Sequence, residues 1–330
     1  MTKSRRISNN IEELTLNNTR QQGRKVTWVN INNAGRNEIE YLRKKYKFSL
    51  SHLQASLSRY VSQRPIIERE EDIRIKNERG YLFLILHFPI FKDGQLLAAE
   101  IDFFVGHGFL VTVHNDNEIV NNFFHLAKKD GDSTLTYKLE SSAILLYEIL
   151  KKLTSGSFPL LDQNSLEISK IEEVIFNETG AKRAVSNILL LRRNIINFRK
   201  IMQNHKNIIK KLQDIKSSVV SQDNIKKCFK DLTEHTERIW EILEGQKEMI
   251  EIFYDTNESL MGYRLNDIMK TLTIFSVIMF PLTLFAAVFG MNTVNGMPFI
   301  NSHYGFWYIV LLMAFCSLGM LFFFEKKKWL

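Results

Sequence analysis

The sequence predicts an α+β membrane protein with an N-terminal α/β domain, a long helical stalk and two C-terminal transmembrane helices. Three observations carry this. From Ile268 to the C-terminus, 63 residues hold a single carboxylate, Glu325, although the whole 330-residue chain holds 36. Within that stretch, Thr271–Phe289 runs 19 residues and Gly305–Phe324 runs 20 residues without a charge. After Pro159 no proline recurs until Pro281, and strand-like alternation stops. An apolar content of 45 % excludes a disordered chain, and the length argues against one compact domain.

Residues 1–25 are polar and basic, rich in Asn and Arg, and read as a mobile segment. From Val26 to Phe158 the pattern is that of an α/β domain. Val26–Ile31, Gly80–Phe91, Leu96–Val105 and Phe109–His114 read as strands from their β-branched and aromatic content. Asn37–Lys47, His52–Val61, Asp116–Lys129 and Leu135–Leu153 read as helices. Residues 159–268 then form a helical hairpin and stalk, in which Leu166–Lys216 and Asn224–Phe289 are two very long helices broken near Ser217–Asp223. The second continues into the first membrane span, and its length approaches about 100 Å at 1.5 Å per residue.

Residues 269–330 make the membrane domain, with spans at about 271–289 and 305–324. Each uncharged run reaches roughly 28–30 Å as a helix, enough to cross a hydrocarbon core whose backbone must satisfy its own hydrogen bonds. Lys326, Lys327 and Lys328 place the C-terminus on the cytoplasmic side of the plasma membrane, with Trp329 as an interfacial anchor. Two crossings return the N-terminus to the same side, and the 15 residues Gly290–Tyr304 face outward. No apolar signal-peptide core opens the chain, which agrees with a cytoplasmic N-terminal part.

The most informative pattern lies along the second long helix. Glu234, Glu237, Glu241, Glu244, Glu248, Glu251, Asp255 and Glu258 alternate at spacings of three and four. The same rhythm passes through Gly262, Asn266, Met269, Thr273, Ser276, Phe280, Thr283, Ala287 and Gly290. An acidic stripe below the membrane thus leads into an amide- and hydroxyl-bearing stripe within it. The opposite face, with Ile239, Ile242, Leu243, Met249, Ile250, Phe253 and Leu260, is apolar and suited to packing. A solvated coiled-coil face explains the glutamates alone. Several hydroxyls and an amide on one face of a span mark a helix contact or a water-filled path instead. Two spans cannot enclose a pore, so the path requires a homo-oligomer. Rings of carboxylates then concentrate cations at one mouth.

Lys270–Asn292, KTLTIFSVIMFPLTLFAAVFGMN, with Met297-Pro298 downstream and the terminal Lys-Lys-Lys-Trp-Leu, resembles the CorA family of divalent-cation channels. Ile101–His114 and Gln63-Arg64-Pro65 resemble that family's N-terminal domain. The resemblance implies a homopentameric funnel in lipid that transports magnesium, with cobalt and nickel as further substrates. It implies a selectivity filter at Gly290, Met291 and Asn292, where Asn292 meets the hydrated ion. Polar pore positions match Asn266 and Thr283, and a hydrophobic gate matches Met269, Leu272 and Phe280. A regulatory magnesium site matches Asp231, and Asp255 is a further candidate on the acidic stripe.

Three departures stand out. Phe289 replaces the family's usual Tyr, and Phe299 replaces the acid that commonly follows Met-Pro. No Asp or Glu occurs between Glu40 and Glu68, so the acidic partner expected for Asp231 is missing. The eight His and two Cys residues, Cys228 and Cys316 among them, form no ligand-spaced set, and no phosphate loop or nucleophile–base pair is evident. An enzyme is not expected. The basic ends suit anionic lipid rather than nucleic acid. The rival readings are a zinc-type transporter on the same scaffold, whose signature typically has Ile in place of Met291, and a non-conducting membrane tether.

Overall fold

The computed structural model describes residues 3–17, 25–57, 67–69, 80–92, 94–129, 141–176, 181–214, 223–291, 298 and 302–329. Contacts divide the chain into two compact units, Met1–Phe253 and Tyr254–Leu330. That division falls within the predicted stalk rather than at its end.

The first unit is built on a seven-stranded sheet: β1 (Lys3–Arg6), β2 (Ile11–Asn17), β3 (Lys25–Asn32), β4 (Ile67–Arg69), β5 (Leu82–Lys92), β6 (Gln95–Gly106) and β7 (Phe109–His114). Its order is β1-β2-β3-β7-β6-β5-β4, antiparallel throughout except for the parallel pair β3 and β7. The antiparallel pairing of β5 and β6 ends at Lys92 opposite Gln95, and Gly94 beside that turn takes a left-handed φ of 74°. Leu82–Phe88 is buried at every position, because helices cover both faces of the sheet. Pro89 is tolerated there because β4 pairs only with Leu82–Leu84 and leaves the rest of that edge without a described strand.

The segment predicted to be mobile contains β1 and β2. Its polar composition hides a short apolar alternation, which the register puts to use: Ile11 lies opposite Ile31, Leu14 opposite Trp28 and Leu16 opposite Val26. All six are buried.

One face of the sheet carries α1 (Arg36–Tyr46) and α2 (Leu50–Ala55) over Phe83, Ile85, Phe104, Val111 and Val113. The other carries α3 (Glu118–Lys129), α4 (Ser142–Ser155) and α7 (His205–Asp214). The predicted helices over His52–Val61 and Leu135–Leu153 extend into residues 58–61 and 135–140, which lie outside the described set, as does the Gln63-Arg64-Pro65 segment.

The predicted single helix over Leu166–Lys216 is instead α5 (Phe158–Phe176), α6 (Ala181–Met202) and α7. The physical reason is burial. Ile168, Ile171 and Ile175 of α5 and Ile188, Leu191, Ile195 and Phe198 of α6 are all buried, which one straight helix would leave in water. By contrast, α8 (Asp223–Phe289) runs 67 residues, as predicted.

Within the first unit, α8 buries a seam of Leu232, Thr236, Ile239, Leu243, Gln246, Ile250 and Phe253, again spaced by three and four. Met249, expected in this seam, is 42 % exposed, since it sits about 100° around the helix from Ile250. Gln246 makes the seam specific: its Nε2 donates to the Leu161 carbonyl at 2.8 Å and to Ser165 Oγ at 2.9 Å. Arg199 of α6 pairs with Glu244 and lies over the Trp240 ring, 4.9 Å from its centroid.

Candidate functional site

In the second unit, α8 and α9 (Gly305–Lys326) are both long and apolar enough to cross a membrane. Only 6 % of the apolar window of α8 and none of that of α9 is buried, so neither is a core helix. Lys270 Nζ donates to the Lys328 carbonyl at 3.3 Å and ties the two membrane segments together at their Lys-rich end. Phe324 stacks on Trp329 at 5.9 Å.

The stripe read from the sequence stands on one exposed face of α8. Asn266, Thr273, Ser276 and Thr283 are exposed, as are Met269, Leu272 and Phe280. Around the helix from them, Ile274 is buried, and Ile278, Pro281, Leu282 and Phe285 are half-buried. Each hydroxyl of the stripe bonds back to its own helix. Thr273 Oγ1 donates to the Met269 carbonyl at 2.7 Å, Ser276 Oγ to Leu272 at 2.8 Å and Thr283 Oγ1 to Met279 at 2.8 Å. A hydroxyl has one proton, so each is left presenting lone pairs outward.

The span ends tightly. Gly290 N–H donates to the Ala286 carbonyl at 2.9 Å and Met291 N–H to Val288 at 3.3 Å. A Cβ added at Gly290 would stand 2.9 Å from the Ala286 oxygen, closer than a carbon is accepted there. Met291 is exposed, whereas Asn292, Met297 and Phe299 lie outside the described residues.

Along the acidic stripe the carboxylates are exposed or half-buried, opposite the buried seam. Glu237 pairs with Lys206 at 2.8 Å, and this ammonium holds its carboxyl below the usual range. Glu251 lies 3.6 Å from Lys247. Asp255 is exposed. Among the described residues no three His, Cys, Asp or Glu side chains converge as a metal cluster.

Asp231 has a more defined setting. It accepts from the Tyr147 hydroxyl at 2.8 Å and lies 3.4 Å from Lys151 Nζ and 3.7 Å from His235 Nε2. Partial burial pushes its carboxyl up, but Tyr147, Lys151 and His235 outweigh that and hold it below the usual carboxylate range. The sequence reading missed this pair on α4. Its signal was the spacing of four between Tyr147 and Lys151, which places both on one helix turn.

A family model described as CorA-like Mg2+ transporter protein matches residues 23–327. The chain is 31 % identical to the putative metal ion transporter YfjQ of Bacillus subtilis over 76 % of each sequence. It is 24 % identical to the cobalt/magnesium transport protein CorA of Thermotoga maritima, covering 92 % of this chain and 83 % of that one. The solved structure of the CorA magnesium transporter from Methanocaldococcus jannaschii superposes with a TM-score of 0.78 at 21 % identity, covering 92 % of both chains.

Proposed function

The chain belongs to the CorA-like family of Mg2+ transporters, and from that premise we propose that it is a homopentameric channel passing hydrated divalent cations across the plasma membrane. In this reading the exposed face of α8 lines a shared axis, with Asn266, Thr273, Ser276 and Thr283 as polar rings and Met269, Leu272 and Phe280 as a dewetting constriction. Gly290, Met291 and Asn292 form the outer filter, and both termini are cytoplasmic.

The observation that carries the reading is the polarity of that face. Magnesium keeps its waters, and a hydrated cation turns water protons outward. Lone pairs of back-bonded hydroxyls accept from those protons and offer none in return, which suits a hydrated cation and disfavours an anion. No carboxylate lies between Ile268 and Phe324, so the ion is not stripped and held by direct ligation in the membrane. Mg2+ is the expected substrate; Co2+ and Ni2+ are further ones, and Met291 argues against a zinc-type filter. A regulatory Mg2+ at Asp231 must compete with the Lys151 ammonium.

Magnesium uptake into liposomes carrying the purified chain tests this, with cobalt, nickel and zinc as competitors. Asn292→Ala is expected to abolish magnesium-selective flux while pentamers still form. Undiminished flux in that variant removes the filter assignment, and zinc-preferring flux in the wild type favours the zinc reading.

A further inference from the structure

Strand β6 lies between β5 and β7, and its residues Glu100, Asp102 and Phe104 face the α1–α2 side of the sheet. Asp102 stands opposite Ile85 on β5 and Val113 on β7, with Phe104 two residues along. Its exposure is 2 %, and among the described residues its Oδ1 has no hydrogen-bond partner. Among the described residues it forms no ion pair.

Among the described residues the polar groups around Asp102 are few. Ser56, the residue that ends α2, touches the carboxyl, and Glu100 lies two residues back on the same strand. Glu100 is occupied by β5, with its Oε2 3.1 Å from His87 Nε2. On α2, His52 is engaged elsewhere: its Nδ1 is 2.9 Å from the Tyr81 hydroxyl and its ring stacks on Phe83 at 4.5 Å. Glu38 of α1 accepts from the Gly35 N–H at 3.0 Å. A carboxylate in such a place loses its hydration and, among the described residues, gains no countercharge; a buried acid so placed holds its proton. Burial pushes the Asp102 carboxyl up to about 7; Ser56 works against this and the Glu100 charge adds to it.

We propose that Asp102 is a proton-binding site that latches α2 to the sheet. Protonated, it lies neutral beneath Ser56. Losing that proton to bulk water leaves an anion that draws water in and loosens α2. The helix is suited to such a role because its hold is small: six residues, of which His52 and Leu53 are buried while Leu50 is 50 % exposed.

Hydrogen exchange on the reconstituted full chain tests the latch. After correction for intrinsic rates, protection of residues 50–57 is expected to fall about tenfold between about pH 6 and about pH 8. Asp102→Asn is expected to keep equal protection at both. Unchanged wild-type protection, or a pH slope that persists in the variant, overturns the proposal. Infrared spectra of the wild type need no variant to fold: a protonated carboxyl band must be present at about pH 6 and lost by about pH 8. Its absence at the lower pH also overturns the proposal.

Discussion

Lys151 and Asp231 meet across α4 and α8, with the ammonium 3.4 Å from the carboxylate and the Tyr147 hydroxyl bridging between them. The pair places a fixed positive charge beside the aspartate at which a regulatory Mg2+ is proposed to bind.

Removing that charge should show the competition. In Lys151→Met, the magnesium concentration that protects the chain from limited proteolysis is expected to fall about tenfold, as an opposing like charge within a few ångströms is lost. Adding Asp231→Asn should raise it above the wild-type value, because the carboxylate that meets the cation is gone. If Lys151→Met leaves the protection curve in place, Asp231 has no part in cation sensing.

Gly290 closes the first span where a side chain has no room. Gly290→Ala brings its Cβ against the Ala286 carbonyl, so the end of α8 must shift at Met291. Magnesium flux into liposomes is expected to drop about tenfold, with pentamer assembly by size-exclusion unchanged. Wild-type flux would remove Gly290 from the proposed filter.

His205 should make the first unit acid-sensitive. It is fully buried, its Nε2 donates to the His87 carbonyl at 2.8 Å, and its ring meets Phe88 edge-on. Burial lowers its pKa from 6.5 to about 4, despite the raising effect of that hydrogen bond. Between those values the unfolded chain binds a proton that the native chain refuses, so stability falls as pH drops from 6.5 to about 4. His114, also lowered to about 4 by burial, acts in the same direction. The loss reaches about 3 kcal/mol per histidine, readable as a falling denaturation midpoint. His205→Gln should flatten part of that slope, and an unchanged slope would assign it elsewhere.

Some of this molecule was legible residue by residue. Phe109–His114 reads as a strand from its own side chains and is one, and Asn224–Phe289 reads as one helix because no breaker interrupts it before Pro281. The two spans are legible because lipid imposes a local rule of length and missing charge. Strands β1 and β2 were not, because Ile11, Leu14 and Leu16 are too few to outweigh their Asn- and Arg-rich surroundings until β3 supplies a register. The fold-back of α5 onto α6 was hidden as well, since a helical period says which face is apolar but not what covers it.

What the sequence determined by itself is the chemistry laid along α8: which positions carry carboxylates, which carry hydroxyls, and that all of them share a face. Helical spacing is a local property, so it can be counted. Tertiary structure alone decided which charges are answered. Lys151 stands against Asp231, Arg199 against Glu244 and Lys206 against Glu237, while Asp102 is left without an ion pair among the described residues. Such pairings join residues far apart in the chain, and only packing brings them within the few ångströms over which a charge is felt.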